Sequence, residues 1–360
     1  MKRIRIFFSL TMISIMVTAC GQVATTTTPE VTSPTIAPQT LKVLVHDSFA
    51  VSEPVITRFE QENNAKVSFI KGGDAGAALN QAVLTKDAPL ADVFYGVDNT
   101  FLTRALSSGI FIPYQSPELQ NIPDAYKLDL QNRALPVDYG DVCINYDKAY
   151  FKDKNIPVPQ TLEDLLKPDY KGLLVMENPA TSSPGLAFVM ATVAHFGQDR
   201  YLDYWKSLRD NGVVVVNDWE TAYYTNFSGS SGKGSQPMVV SYGSSPVAEV
   251  VFASPQPTDS PTASIVGPDT CYRQIEFVGI LSGTKNLDLA QKFVDYMLSV
   301  NFQEDMPLQM FVYPVNQDAK LPQEFLKFAQ MPKQPAQLDP DLIANLRDTW
   351  IQDWTNTVLR

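Results

Sequence analysis

The spacing of hydrophobic and polar residues predicts strands and helices in alternation along the first part of the chain. Residues 41–46 alternate and are rich in β-branched side chains, which indicates a strand. Residues 53–62 place apolar side chains at helical spacing. Strands are predicted again at 66–70 and 91–95, with a helix at 77–85 between them. This alternation predicts an α/β fold in which a mainly parallel sheet is flanked by helices.

The second part of the chain contains two extended stretches longer than an average strand, residues 135–146 and 271–281. They predict two crossings between two lobes. One lobe comprises residues 41–137 plus 273–360, and the other comprises residues 138–272. A cleft between two such lobes suits closure driven by a ligand. The other elements predicted here are strands at 173–176, 213–216 and 238–242, and helices at 186–193, 289–300 and near the C-terminus. Trp350 and Trp354 lie on the C-terminal helix and are expected in the core.

Composition and charge narrow the class of partner. The chain has 360 residues, of which 44% are hydrophobic, enough to bury the core of two lobes. Its formal net charge of −11 argues against nucleic acid as a partner, because phosphates repel such a surface. The same charge is compatible with a cationic ligand, although solubility alone explains most of these carboxylates.

The N-terminus has the pattern of an export signal. Lys2, Arg3 and Arg5 precede an apolar run at residues 6–17, which is too short to span a bilayer comfortably. We therefore expect the remainder of the chain to be extracytoplasmic.

The export signal ends in small residues followed by Cys20, and this resembles a bacterial lipobox, in which the cysteine becomes lipidated. Residues 1–20 are therefore predicted to be a lipoprotein signal peptide. Residues 21–40 are rich in Thr and Pro, contain no aromatic residue, and predict a flexible tether. Lipid chains on Cys20 would hold the protein on the outer side of the cell membrane, on the periplasmic or cell-surface side.

Two cysteines remain, Cys143 and Cys271. Export permits a disulfide between them, and two buried free thiols are the alternative. Only His46 and His195 accompany them, too few for a metal framework. We therefore predict a Cys143–Cys271 disulfide, no metal site and no cofactor.

Two hydroxyl-rich turns have the pattern of anion-binding sites. Residues 178–185 contain Thr181, Ser182 and Ser183 between a predicted strand and a predicted helix, an arrangement that presents backbone N–H groups to an anion. Residues 241–246 repeat the arrangement. Ordinary capping of the helix by Ser or Thr is the alternative for the first turn.

Aromatic and acidic side chains next to these turns are candidates to bind a flat or cationic ring. Trp219 follows the strand at 213–216, and Tyr242 ends the strand at 238–242, so each could present a ring face. Asp74, on the other predicted lobe, could accept from an exocyclic amine or balance a cation. Tyr223 and Tyr224 are expected to pack on a helix outside the site.

Motifs of common enzymes do not occur in this chain: there is no H-E-x-x-H, G-x-S-x-G or Walker A sequence. The candidate site therefore predicts binding rather than catalysis.

Several short segments recur in an order and spacing that resemble the thiamine-binding proteins of bacterial ABC importers. The segments are residues 46–49, 91–93 with 96–99, 138–140 with 146–148, 179–185, 241–242 and 313–315. The likeness extends over residues 41–360. It implies the type II periplasmic-binding-protein fold, two α/β lobes that close over thiamine, thiamine monophosphate or thiamine diphosphate. It also implies a membrane permease with its ATPase as partners, and a monomer.

The resemblance carries the ligand contacts of that family onto residues that the pattern analysis also selects. The implied contacts are Asp74, Ala75, Ser182, Ser183, Trp219, Tyr242, Gly243, Ser244 and Ser245. Phe311 stands where the family often has Trp, and His46 where it can have Tyr, so both still offer a ring face.

Three alternatives to thiamine binding stay open at this point. The first is a binding protein of the same fold for ferric iron or another small solute. The second is an exported thiamine-degrading transferase, for which Cys143 would be the candidate nucleophile. The third is a purely structural surface lipoprotein, which would have no ligand and no closing cleft.

Overall fold

The computed structural model describes residues 37–360. The predicted signal peptide, Cys20 and residues 21–36 of the predicted tether lie outside the described residues. Within residues 37–360, no helix is both long enough and apolar enough to cross a membrane.

The described residues form eleven strands, and most of the strands expected from the hydrophobic pattern are confirmed within a few residues. The strands are β1 (Gln39–Val45), β2 (Ala65–Lys71), β3 (Val93–Asp98), β4 (Phe111–Ile112), β5 (Leu135–Asp147), β6 (Leu174–Glu177), β7 (Val214–Val216), β8 (Met238–Tyr242), β9 (Thr262–Ile265), β10 (Tyr272–Leu281) and β11 (Tyr313–Pro314).

Thirteen α-helices lie between or after these strands in the described part of the chain. They are α1 (Glu53–Asn63), α2 (Ala75–Leu84), α3 (Leu102–Ser107), α4 (Lys148–Lys154), α5 (Ser183–Phe196), α6 (Tyr201–Asp210), α7 (Ser228–Ser231), α8 (Ala248–Val251), α9 (Leu287–Leu298), α10 (Val300–Gln303), α11 (Met306–Gln309), α12 (Gln323–Phe328) and α13 (Pro340–Val358).

All the strands belong to one continuous sheet with a parallel set at each end. The order is β2-β1-β3-β10-β5-β8-β6-β7, with β4 paired to β10, and β9 and β11 paired to β5. The pairs β2-β1-β3 are parallel, as are β8-β6-β7. The long strands β5 and β10 are antiparallel to their neighbours and join the two sets. The sheet is therefore mixed. Its two parallel parts contain the strands predicted within residues 41–95 and within residues 173–242.

Helices cover the sheet on both faces, as the alternating pattern predicted. On one face Phe59 of α1 packs edge-on against Phe293 of α9, with ring centroids 5.0 Å apart. On the other face Trp354 of α13 meets Trp205 of α6 at 5.5 Å. Trp350 and Trp354 are both buried, which confirms that they are core residues.

The two long strands lie side by side and are cross-linked. β5 and β10 pair in antiparallel register, with Tyr272 opposite Val142. In the structure Cys143, in β5, and Cys271, just before β10, form a disulfide, and both are fully buried. The lobe boundaries inferred from the sequence stay a prediction. The structure begins β1 at Gln39, two residues inside the segment predicted to be a tether.

Candidate functional site

A cavity of about 210 Å³ lies where loops from both parallel parts of the sheet meet. Ligands in parallel α/β sheets bind beyond the carboxyl ends of strands, and this cavity has that position. Its walls come from the ends of β1, β6, β7 and β8, the start of α2 and the segment after α11. The lining residues are His46, Ser48, Ala50, Asp74, Ser183, Pro184, Trp219, Tyr223, Tyr224, Tyr242, Ser245, Ala248, Phe252, Glu276, Gln309, Met310, Phe311 and Val312.

The turn between β6 and α5 places one of its hydroxyls at the cavity. Ser183 lines the cavity, whereas Ser182 is fully buried behind it and its Oγ makes no hydrogen bond of ordinary geometry. Thr181 turns away and donates its hydroxyl to Asn217 O at 2.6 Å. A Cβ on Gly185 would lie 2.3 Å from Glu177 O, so the close approach of α5 to β6 requires glycine there. Ser182 holds the N-cap position of α5 but makes no side-chain cap.

Asp74 connects the two parallel parts of the sheet across the cavity. Its Oδ1 accepts from Ala75 N at 2.7 Å and its Oδ2 accepts from Trp219 N at 3.1 Å. A second contact joins the same elements, because Gly76 N donates to Thr181 O at 3.0 Å. Burial raises the pKa of Asp74 to about 6, although the hydrogen bonds from Ala75 N and Trp219 N oppose part of the rise.

Ala75 has a supporting position rather than a place in the cavity wall. It is buried and does not line the cavity, and its N–H holds the Asp74 carboxylate. The N-cap role of Asp74 on α2 thus fixes the orientation of the carboxylate that faces the ligand.

Trp219 forms an aromatic wall together with two tyrosines. Its ring stacks on Tyr223, with centroids 4.9 Å apart and planes 19° from parallel, and meets Tyr224 edge-on at 5.4 Å. Trp219 Nε1 donates to Ser241 Oγ at 3.0 Å, which fixes the indole. Tyr223 and Tyr224 also line the cavity, although the sequence analysis placed them outside the site. They belong to a π-helical segment, Thr221–Asn226, that the sequence pattern did not reveal.

The turn after β8 presents Tyr242 and Ser245 to the cavity. Tyr242 donates its hydroxyl to Gln274 Oε1 at 2.7 Å. Ser245 Oγ accepts from Tyr242 N at 3.2 Å and lies 2.8 Å from Ser241 Oγ. Gly140, opposite on β5, leaves space for the Tyr242 ring, because a Cβ there would lie 2.7 Å from Tyr242 Cδ1.

Two residues of this turn support the site without lining the cavity. Ser244 donates its hydroxyl to Phe311 O at 2.5 Å and so connects the turn to the Phe311 segment. Gly243 donates its N–H to Asp141 O at 2.8 Å, and a Cβ there would lie 2.2 Å from Gln330 O. Both residues are buried.

A buried acidic cluster forms the wall on the β10 side. Glu276 Oε1 lies 3.5 Å from His46 Nε2. The Tyr95 hydroxyl lies 2.6 Å from Asp138 Oδ2 and 3.1 Å from Glu276 Oε2. The Tyr95 hydroxyl has one proton and cannot donate to both carboxylates at once. The arrangement therefore favours one further proton shared between Asp138 and Glu276.

The charges of this cluster follow from its burial. Burial raises the pKa of Asp138 to about 7 and raises that of Glu276 well above its ordinary value, and the Asp138 charge raises the Glu276 value further. Burial also lowers the pKa of His46 to about 4, helped by the charge of Lys71. His46 is therefore neutral at pH 7 and offers a ring face rather than a charge.

The sequence analysis identified seven of the eighteen residues that line the cavity. Of the nine expected ligand contacts, Asp74, Ser183, Trp219, Tyr242 and Ser245 line the cavity. The other four, Ala75, Ser182, Gly243 and Ser244, lie directly behind it. His46 and Phe311, expected to offer ring faces, also line it. Glu276 was missed, although its position within the predicted 271–281 crossing strand was a usable signal.

Comparison with known proteins matches most of the chain. Residues 88–332 match the family described as bacterial extracellular solute-binding protein. The chain is 30% identical over 326 residues to a thiamine-binding periplasmic protein of Brucella suis, covering 88% of this chain and 92% of the relative. It is 29% identical over 334 residues to a thiamine-binding periplasmic protein of Escherichia coli, covering 91% of this chain and 96% of the relative.

A solved structure described as a periplasmic thiamin binding protein superimposes with a TM-score of 0.78 and 26% identity, covering 90% of this chain and 97% of that chain. The architecture is that of a type II periplasmic binding protein, as the resemblance implied. The chain belongs to the family of bacterial extracellular solute-binding proteins.

Proposed function

We propose that this chain is the solute-binding component of an ABC importer and that it binds thiamine, thiamine monophosphate or thiamine diphosphate in the cavity. The observation that carries the proposal is the combination of ring faces and buried carboxylates in one wall. Trp219, Tyr242 and Phe311 offer faces for flat or cationic rings, and Asp74 and Glu276 offer acceptors or negative charge. Thiamine has an aminopyrimidine ring and a positively charged thiazolium ring, which this combination suits.

Each group of the ligand has a proposed partner in the wall. Asp74 would accept from the exocyclic amine, since its carboxylate is already oriented by Ala75 N. Trp219 and Tyr242 would stack on the rings. Ser183 and Ser245 would face the hydroxyethyl group or its phosphate ester, with Ser182, Gly243 and Ser244 supporting the turns from behind.

We propose that the ligand closes two lobes over itself and that the closed form docks on the permease and its ATPase. The lobes are residues 41–137 plus 273–360 and residues 138–272. The hydrogen bonds Asp74–Trp219 and Gly76–Thr181 each join one proposed lobe to the other, which supports closure of the cleft between them. A ligand drives this closure to the extent that it binds the closed state more tightly.

The site of action follows from the N-terminal sequence. We propose that Cys20 is lipidated and that residues 21–36 tether the protein, a monomer, to the outer face of the cell membrane. Nucleic acid is not an expected partner of this acidic chain.

Calorimetry on the full chain tests the proposal. The protein is unfolded and refolded to remove any carried ligand, and then titrated with thiamine, its two phosphates and ferric citrate. Saturable binding of a thiamine form with one site per chain supports the proposal. Binding of ferric citrate alone would instead establish the iron alternative.

The tyrosines of the wall are poorly suited to binding iron, which favours thiamine over iron as the ligand. Iron would need tyrosine hydroxyls free to coordinate it, yet Tyr242 donates its hydroxyl to Gln274 Oε1 at 2.7 Å and Tyr223 donates its hydroxyl to Glu249 Oε1 at 2.9 Å. The transferase alternative needs a free thiolate, but Cys143 is in the disulfide with Cys271.

A further inference from the structure

The wall of the cavity carries negative charge and lacks a positive side chain. Asp74 and Glu276 line it, and no Lys or Arg does so within the part of the chain that the structure describes. His46, the remaining basic side chain of the wall, is neutral at pH 7 because its pKa is lowered to about 4. A phosphate group entering the cavity would therefore find no cation among the lining side chains, since Lys71, whose charge acts on His46, does not line the cavity.

The hydroxyl groups of the turn after β8, which could replace a cation as phosphate partners, are engaged with the protein itself. Ser241 Oγ accepts from Trp219 Nε1 and pairs with Ser245 Oγ. Ser245 Oγ also accepts from Tyr242 N. Ser244 donates to Phe311 O. The turn after β8 thus satisfies its own polar groups, and binding a phosphate there would break hydrogen bonds that the protein already makes.

The N-terminus of α5 could attract an anion through its backbone N–H groups, but its surroundings are acidic. Glu177, at the end of β6, is fully buried, and neither oxygen of its carboxyl group has a hydrogen-bond partner. Burial raises the pKa of Glu177 well above its ordinary value, and the charges of Asp74 and Asp218 raise it further. The raised pKa favours the protonated form of Glu177, so the negative charges near this turn are those of Asp74 and Asp218, and they oppose a phosphate.

The opposite wall is suited to a positive ring. Asp138 and Glu276 lie within reach of one Tyr95 hydroxyl and favour sharing one proton, so the pair keeps one negative charge. Glu276 lines the cavity and is the member of the pair that a ligand can reach. A cation beside Glu276 would draw the shared negative charge of the pair from Asp138 onto Glu276 and would gain a buried counter-charge in a region of low dielectric constant.

We propose that the site selects the thiamine cation without a phosphate, that Glu276 balances the positive charge of its ring, and that each added phosphate lowers the affinity. This preference rests on the proposed function and refines it. This preference assigns the chain to the uptake of free thiamine. When only phosphate esters are present outside the cell, an enzyme that removes phosphate must first produce the free vitamin.

The first test compares the affinities of one protein for ligands that differ only in charge. The stripped full chain is titrated with thiamine, thiamine monophosphate and thiamine diphosphate under the same conditions. We expect thiamine to bind at least tenfold more tightly than the diphosphate, with the monophosphate between them. Equal or tighter binding of the diphosphate would overturn the preference and leave the proposed function intact. Absence of binding by every thiamine form would overturn both.

The second test separates charge from shape. Asp218→Asn removes a negative charge that acts on the α5 turn, while the Asp218 side chain itself does not line the cavity. We expect the ratio of thiamine to diphosphate affinity to fall two- to fivefold. Asp203→Asn, on the exposed side of α6, is the matched control and should leave the ratio unchanged. A ratio that is the same in both variants would attribute the preference to shape and overturn the charge argument.

The third test addresses Glu276 directly. Glu276→Gln keeps the shape of the side chain and confines the negative charge of the pair to Asp138, which does not line the cavity, so we expect thiamine to bind about tenfold more weakly. The uncharged aminopyrimidine half of thiamine should bind Glu276→Gln and the unchanged protein equally well. Equal weakening of both ligands would show a general loss of the site and would reject Glu276 as the counter-charge.

Discussion

The Asp74 carboxylate accepts a hydrogen bond from the backbone N–H of Trp219, 145 residues away along the chain, at 3.1 Å. The two residues stand on opposite parallel parts of the sheet, and both line the cavity. One side chain therefore combines a proposed ligand contact with a hydrogen bond that joins the two sides of the cavity. Most of the predictions below follow from this connection and from the charges around it.

Replacement of Asp74 should weaken ligand binding strongly. Asp74→Asn keeps the size of the side chain but removes the charge, so the amine and the Trp219 N–H would share a weaker acceptor. We expect thiamine affinity to fall by about 1.5–3 kcal/mol, the range for hydrogen bonds to charged groups. Calorimetry measures the change, with Asp203→Asn as a control for a charge lost from the surface. An affinity within twofold of the unchanged protein would remove Asp74 from the site.

The same substitution should have the opposite effect on stability at neutral pH. The pKa of Asp74 is about 6 in the folded protein against 3.8 ordinarily, so the folded state binds the proton more tightly than the unfolded state. Its contribution to the free energy of unfolding is therefore fully present below pH 3.8 and is lost as the pH rises through 6. That loss amounts to at most about 3 kcal/mol, since the pKa rises by about two units.

Urea unfolding of the ligand-free protein between pH 4 and pH 8 checks this prediction. Asp74→Asn should gain stability relative to the unchanged protein as the pH rises, and most of the gain should fall between pH 4 and pH 7. The comparison uses the difference between the two proteins, so titration of other groups cancels. A difference that stays constant with pH would show that Asp74 has an ordinary pKa.

Trp219 should report ligand binding by its fluorescence. The chain has four tryptophans, and the other three, Trp205, Trp350 and Trp354, are buried in the core. A ligand ring stacked on Trp219 should therefore change emission through that one residue. Trp219→Ala should remove the change and lower thiamine affinity by about 1–3 kcal/mol, whereas Trp219→Phe should remove the change and retain part of the affinity. A full fluorescence response in Trp219→Phe would place the ligand elsewhere.

The disulfide should stabilise the fold without taking part in binding. Cys143 and Cys271 are 128 residues apart in the chain, and neither lines the cavity. Replacing both with Ser should lower the free energy of unfolding by about 2–5 kcal/mol, because the unfolded chain loses a constraint on a long loop. Thiamine affinity should stay within twofold of that of the unchanged protein.

Thiol titration of the native chain gives an independent check on the disulfide. Both sulfurs are fully buried, so a reducing agent should release the Cys143 and Cys271 thiols only after denaturant is added. A thiol at Cys143 that reacts readily in the native protein would revive the transferase alternative.

Hydrophobic periodicity predicted the framework of the fold because the core depends on local patterns. Strand β8, residues 238–242, was predicted with its observed bounds, and the helix predicted at 289–300 is α9, Leu287–Leu298. Helix α5 begins three residues earlier than its apolar run suggested. Ser183, Pro184 and Gly185 form its first turn, and a pattern of apolar residues gives no signal for them.

The candidate site was harder to predict because its wall depends on contacts distant in sequence. Tyr223 and Tyr224 face the cavity only because a π-helical segment rotates them toward Trp219. Glu276 reaches it because β10 lies between β3 and β5, a neighbourhood that no local pattern specifies. Phe311 has a backbone φ of 54°, a conformation rare for a bulky side chain, which composition does not reveal.

The cross-link between β5 and the start of β10 limits how the cavity can open. Two antiparallel strands that share a covalent bond cannot slide past each other by a residue, so their register is fixed at Tyr272 and Val142. They can still bend or twist together about the cross-linked position. Solute entry and release would then be a rotation about one axis, and the cavity walls would return to the same alignment after every cycle.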